Sequence, residues 1–346
     1  MRKIVSLLLA TVMVVCASGA LAAGVDIAIL VPNADHGWTG AVLTYAEEKA
    51  AEINEGGVYT AEVISSSDPA NQISQVEDII ENQSAQSVVI LPQDNTLEAT
   101  MKKLADSGIP FVMYDRVIDT VAESAVSSVK GDNEGIGVAT AERFIASGLQ
   151  PGDPVLIIPG DNSSVPEMRN KGFFDTLLAN GWSQEQVDAI KSTAYTGWSR
   201  AEGKRLFVEW LDTSTVEEID AVKYIFTHDD EIAMGMLEAL KSSDIDAAKK
   251  DTFLNAGVHL GTSSGLNEIY SVLKGIHQKD YSAEVAGLAD LFSVTYDPGM
   301  VKIAVQDLVD KLDGKDVPTD HVVPVSVVDS TNVGDFQGFG DAVAVE

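Results

Sequence analysis

The sequence predicts an α/β protein made of two doubly wound, Rossmann-like parallel-sheet lobes. Three observations carry that expectation. Strand, loop and helix signals alternate along almost the whole chain. The strand candidates are continuous apolar runs, such as FVMY at 111–114, of the kind found in sheets covered on both faces. The 346 residues exceed what a single core usually covers, and at 45% hydrophobic the chain is not disordered.

Residues 26–31 (DIAILV) form the first expected strand, PNADHG at 32–37 a turn-rich loop, and 38–54 an amphipathic helix closed by Gly56 and Gly57. A strand over 59–65 follows. Asp68 before Pro69 marks a helix start, because the carboxylate can cap free N–H groups and proline suits a first turn; this helix continues to 83. Residues 88–91 give a third strand ending at PQDN (92–95), and a helix over 97–107 leads to the run IPFVMYDR (109–116). That run drives a buried strand straight into a carboxylate and a guanidinium. Ligands of open parallel sheets bind at the carboxyl ends of strands, so Asp115 and Arg116 are binding candidates, with a surface ion pair as the alternative.

The pattern then repeats. A strand over 124–129, the loop GDNEG (131–135), a helix over 136–147, a strand over 155–158 and a helix over 165–180 come first. Strands over 187–194, 221–226 and 253–258 then alternate with helices over 201–211, 232–241 and 266–274. No linker rich in Pro, Gly or Ser separates the halves, which argues for close packing.

Residues 1–22 read as a cleaved signal peptide: Arg2 and Lys3, an apolar run over 4–16, and the cleavage pattern ALA at 20–22. The apolar run is too short for a membrane span. Cys16 is the sole cysteine and would leave with the leader, while Val15 in front of it argues against a lipid anchor. Disulfides and thiol catalysis are thereby excluded. Loss of Arg2 and Lys3 takes the formal charge from −30 to −32. So acidic a surface repels phosphate backbones and anionic lipid, which excludes nucleic acid; solubility, a saline environment, or a neutral or cationic partner all accommodate it.

The stretch GDNEGIGVAT (131–140) suggests a dinucleotide fingerprint but places Thr140 at the third glycine and lacks the ribose-binding acid. Neither a GxxxxGK[ST] loop nor a GxSxG elbow occurs, so no cofactor and no activated nucleophile are expected. His36, His228 and His259 each adjoin an expected strand end, near Asp35, Asp229 and Asp230. No two share a helix face at metal-ligand spacing, which favours contacts to a polar ligand or loop packing over a metal. The acid pairs at 229–230 and 47–48 could serve a glycosidase, but sequence neighbours point in different directions. Trp38 and Trp198 adjoin glycine and polar residues where loops converge. Flat indoles suit the C–H faces of sugar rings, and carboxylates, amides and guanidinium groups suit the hydroxyls. Trp182 and Trp210 read as packing residues.

The ordered set PNADHGWT (32–39), DPANQ (68–72), IPFVMYDR (109–116), GDN (131–133), RNKGF (169–173) and THDDEIAMG (227–235) resembles the periplasmic sugar-binding proteins of bacterial ABC transporters. The likeness is greatest to the branch with the ribose-, galactose- and xylose-binding proteins, and it covers nearly the whole mature chain. It implies a type I periplasmic binding protein: two lobes joined by a three-strand hinge, closing over one monosaccharide. The expected division is a signal peptide at 1–22, a first lobe at 23–127 with 298–322, and a second lobe at 128–297 with 323–346.

Position by position, the resemblance implies Asp115 and Arg116 as a first-lobe pair, with Trp38 as the stacking aromatic and Asp35 and His36 in the loop before it. On the second lobe it implies Arg169, Trp198 and Asp229, and at the hinge Asp297. GVHLGT (257–262) departs from the family, much of which has an Asp there, so His259 or a neighbour is expected to replace it. The implied function is non-enzymatic: a periplasmic monomer binds a neutral pentose, hexose or polyol and delivers it to the membrane subunits of an ABC permease. A ligand-sensing partner of a chemoreceptor or sensor kinase is the alternative. Relatives with an N-terminal helix-turn-helix are repressors, and the leader favours transport.

Overall fold

The structure is a computed structural model that describes residues 24–34 and 37–341, so the expected signal peptide and Cys16 lie outside the described residues. Among the described residues, twelve strands divide equally between two sheets. The first contains β1 (Val25–Pro32), β2 (Ala61–Ser66), β3 (Ala85–Ile90), β4 (Phe111–Tyr114) and β5 (Ser127–Gly131). The second contains β6 (Val155–Ile158), β7 (Lys191–Ser192), β8 (Tyr224–Thr227), β9 (Val258–Ser264) and β10 (Leu288–Thr295). β11 (Asp320–Val323) returns to the first sheet and β12 (Val327–Asp329) to the second, giving the orders β11-β5-β4-β3-β1-β2 and β12-β10-β9-β8-β6-β7. Every pairing is parallel except that of β10 with β12.

Alternation along β1 explains the double winding. Ile27, Ile29 and Val31 join one core cluster while Ala28 and Leu30 join another, all fully buried, so both faces of the first sheet are covered by helices. Local signals fix the ends of elements. Asp68 caps the helix Pro69–Asn82 by accepting from the Asn71 N–H. The helix Gln184–Asp188 starts in a capping box between Ser183 and Gln186, which takes Val187 into a helix. The strand expected over 187–194 therefore shrinks to the two residues of β7. Asp246 likewise caps the helix Ala247–Asn255, which absorbs Phe253 and delays the next strand until Val258.

The chain crosses between sheets three times: from β5 into the helix Asn133–Ala146, from β10 into the helix Met300–Leu312, and from β11 to β12. The sequence partition after residue 127 is corrected by the first of these. β5 pairs in register with β4 and with β11, so it completes the first sheet, and the crossing falls at Gly131–Asn133. Two helices of the second lobe, Asn133–Ala146 and Ser164–Ala179, meet almost backbone to backbone. A Cβ on Gly137 would stand 2.0 Å from the Arg169 carbonyl oxygen, and one on Gly172 2.0 Å from that of Glu134. Gly137, one glycine of the supposed dinucleotide loop, thus serves helix packing. Among the described residues no helix is long and apolar enough to cross a membrane.

Candidate binding cleft

The carboxyl ends of both sheets face a cavity of about 660 Å³, within the range that small ligands fill. The first lobe lines it with Trp38, Gln93, Asp115 and Arg116, the second with Asp161, Arg169, Trp198 and Asp229, and the second crossing with Tyr296.

On the first lobe, β4 ends at Tyr114 and the chain turns at once. Asp115 adopts the left-handed conformation (φ 60°), its N–H donating to the Val129 carbonyl of β5 at 2.8 Å. Its carboxylate accepts from the Tyr296 hydroxyl. Arg116 donates through Nη1 to the Gln93 carbonyl, and its Nη2 lies 3.9 Å from Asp161 of the opposite lobe. Arg116 Nε and Gln93 Oε1 are buried without a protein partner, which leaves a donor and an acceptor beside the cavity. Trp38 is buried against Tyr296, with ring centroids 5.7 Å apart, and its indole N–H donates to the Tyr296 carbonyl at 3.0 Å.

On the second lobe, Arg169 is only 2% exposed. Nε donates to Asn133 at 3.0 Å, and Nη1 to Ser263 Oγ at 3.0 Å and to the His228 carbonyl. Its guanidinium lies 4.9 Å from the Tyr296 ring centroid and 5.4 Å from that of Trp198. Burial without a paired carboxylate lowers its pKa. Trp198 takes a left-handed backbone (φ 62°) and lays its indole over Gly160, where a Cβ would come within 2.3 Å of the ring. Arg200, two residues on, is held by Glu231 at 2.6 Å, by Glu268 and by Glu238 at 3.6 Å, which anchors the loop carrying Trp198.

Asp229 caps the helix Asp230–Lys241, accepting from the Glu231 N–H at 2.8 Å. Burial first, and the neighbouring Asp230 second, push its carboxyl up to about 8. Asp230 itself points into the core, accepting from the Gly265 and Leu266 N–H groups at 2.7 and 2.9 Å. A carboxyl whose folded pKa exceeds its unfolded one holds its proton more tightly in the fold. Its stabilising contribution is full below the ordinary value of 3.8 and is lost as pH rises to about 8. Asp229→Asn keeps the capping acceptor and cannot ionise. The melting temperature of this variant relative to wild type is therefore expected to climb between pH 4 and pH 8 and then level off; a flat difference would place Asp229 in water.

Of the ten sequence-predicted residues, six line the cavity, one is its neighbour in sequence, one lies away from it and two are outside the described residues. Trp38, Asp115, Arg116, Arg169, Trp198 and Asp229 line one cavity. Asp297 sits next to it in sequence but is exposed, accepting from the Gly299 N–H at 2.7 Å at the start of the helix Met300–Leu312. It is Tyr296, one residue past β10, that turns inward, continuing the apolar positions Phe292 and Val294 at a period of two. His259 is corrected outright: it is the second residue of β9, at the end away from the cleft, where its ring stacks on Tyr224 with centroids 5.2 Å apart. Ser263, near the far end of the same strand, is the residue that meets Arg169. Asp35 and His36 lie outside the described residues. Tyr296 and Asp161 were missed by sequence reasoning; the alternation along 292–296 was the available signal for the first, and a loop position gave none for the second.

Comparison with known proteins follows the same outline. A family model described as "Periplasmic binding protein domain" matches residues 27–316. A protein of Rhizobium meliloti named for rhizopine binding is 25% identical over an alignment of 331 residues that covers 91% of this chain and 97% of that one. Among solved structures, the Caulobacter myo-inositol binding protein bound to myo-inositol has a TM-score of 0.68 at 20% identity, over 90% of this chain and 95% of that chain. An ABC transporter solute binding protein from Mycobacterium smegmatis with bound glycerol has a TM-score of 0.70 at 18% identity, over 93% and 100% of the two chains. With the family model spanning β1 to β10 and the first two crossings, the chain belongs to the periplasmic binding protein domain family.

Proposed function

We propose that this chain binds one neutral monosaccharide or related polyol between its lobes and delivers it, in the periplasm, to the membrane subunits of an ABC permease. The observation that carries the reading is the composition of the cavity at the carboxyl ends of the two sheets. It combines two indoles, from Trp38 and Trp198, with carboxylates and guanidinium groups from both lobes. Indole faces cover apolar C–H surface, and Asp115, Arg116, Arg169 and Asp229 supply directional acceptors and donors for hydroxyls.

Charge balance supports a neutral ligand. Arg200 is engaged by three glutamates and Arg116 faces Asp161, so the cavity's charges largely answer one another. The groups lining the cavity also support binding over turnover. Ser199 caps the helix Arg200–Thr213, and no histidine lines the cavity among the described residues. The two solved structures named above, with bound glycerol and bound myo-inositol, agree in class with the reading.

The test is a thermal-shift screen of pentoses, hexoses, cyclitols and linear polyols at fixed salt and pH, followed by calorimetry on the hits. A ligand at a thousand times its Kd adds about 4 kcal/mol to the folded state, which raises Tm by several degrees. No shift with any neutral sugar or polyol would refute the proposal, and turnover of a bound hit would refute its non-enzymatic part.

A further inference from the structure

Tyr296 occupies a position that the binding reading does not by itself require. It lies on the second crossing, one residue beyond β10, and is 6% exposed. Its hydroxyl donates to Asp115 Oδ1 of the first lobe and accepts from Asn133 Nδ2, at 3.2 Å, on the first helix of the second lobe. Its carbonyl accepts from the Trp38 indole, and its ring lies under the Arg169 guanidinium. The same ring covers Gly131 on the first crossing so closely that a Cβ there would stand 2.1 Å from Cε2 and 2.7 Å from Cδ2.

Two consequences follow from these contacts. The Asp115 side chain has no hydrogen-bond partner other than Tyr296 among the described residues, so this hydroxyl sets the direction of the carboxylate and leaves its second oxygen for the cavity. The hydroxyl also joins atoms carried by different lobes, so its two bonds exist together only at one lobe separation. Gly131 lets the ring reach that place, since any side chain at 131 would occupy the same volume.

We propose that Tyr296 is a positioning residue that couples ligand binding to lobe closure: it aims Asp115 into the cavity only at the lobe separation seen here, at which Arg116 lies 3.9 Å from Asp161 across the cleft. The inference rests on the binding reading of the cleft, and deepens it by naming the residue through which occupancy and closure are linked. Ligand held by Asp115 favours that separation, and the hydroxyl bridge in turn keeps Asp115 on the ligand.

The test uses the mature full chain with myo-inositol, xylitol, glycerol and D-ribose as probes. In Tyr296→Phe the ring contacts with Trp38, Arg169 and Gly131 remain and only the bridge is lost. For a probe that binds wild type, stopped-flow tryptophan fluorescence is expected to show dissociation faster by about tenfold, the loss of one hydrogen bond to a charged group. Association and Tm should stay close to wild type, a split that a merely structural role would not produce. Tyr296→Phe combined with Asp115→Asn should bind no more weakly than Asp115→Asn alone, because the hydroxyl acts through that carboxylate.

Gly131→Ala supplies an arm that needs no ligand. Small-angle scattering of the apo protein should give a larger radius of gyration than wild type, because the added methyl excludes the ring. Unchanged dissociation in Tyr296→Phe, or an unchanged radius of gyration in a folded Gly131→Ala, would overturn the inference. A wild type that ignores every neutral probe would refute the sugar-binding proposal instead, and the scattering arm would still decide this one.

Discussion

Arg169→Met is expected to lower affinity for the cleft's ligand by about a hundredfold or more while leaving the fold intact. Nε and Nη1 of Arg169 are committed to Asn133, Ser263 and the His228 carbonyl, whereas Nη2 has no protein acceptor among the described residues. Two charge-assisted bonds from Nη2 to ligand hydroxyls, at about 1.5–3 kcal/mol each, account for a factor of this size. Methionine keeps most of the aliphatic bulk between Trp198 and Tyr296. It also removes a buried charge that no carboxylate pairs, so the apo protein is expected to melt at or slightly above the wild-type temperature. Calorimetry and thermal melts on the same preparation separate the two effects. Affinity within fivefold of wild type would remove Arg169 from the site, and a large drop in Tm would show that its contacts serve the fold.

The largest effect on stability is expected at Gly137. A single methyl there would meet the Arg169 carbonyl oxygen at 2.0 Å and the Phe173 nitrogen at 2.5 Å, both backbone atoms that cannot rotate away. The helices Asn133–Ala146 and Ser164–Ala179 would have to separate, and Gly137→Ala is expected to cost about 3 kcal/mol, at the upper end of overpacking penalties. Helix propensity pulls the other way by only about 1 kcal/mol. Gly40, in the helix Gly37–Gly56, has open space around its would-be Cβ, so Gly40→Ala is expected to stabilise by about 0.5–1 kcal/mol through propensity alone. Urea unfolding midpoints for the pair check the sign of each. Because Asn133 and Arg169 sit on the two helices that Gly137 holds together, the destabilised protein should also bind more weakly.

Much of the cleft was legible because strand ends announce themselves. A buried run that stops at charged residues, as at 111–116, or at a capping acid, as at 224–230, fixes both the element and the side of the sheet on which the polar group lies. Register is where the reading failed. Phe253 looks like strand, yet Asp246, earlier in the chain, accepts from the Ala248 and Lys249 N–H groups and turns the segment into a helix, which moves His259 from the cleft end of β9 to the opposite end. At the hinge the error was one residue, and with a period of two one residue exchanges inside for outside: Tyr296 for Asp297. The interlobe contact of Arg116 with Asp161 depends on how two separately folded sheets face each other, which local pattern does not encode.

The three crossings have a consequence for biosynthesis. The first sheet opens with β1 at Val25 but gains its edge strand β11 only at Asp320–Val323, and the helix Met300–Leu312 that packs on β4 and β5 is made just before it. A ribosome must therefore emit the chain as far as Val323 before the lobe it began first can close. Long-range parallel pairings of this kind fold slowly, and the first sheet stays without its edge until β11 has been made.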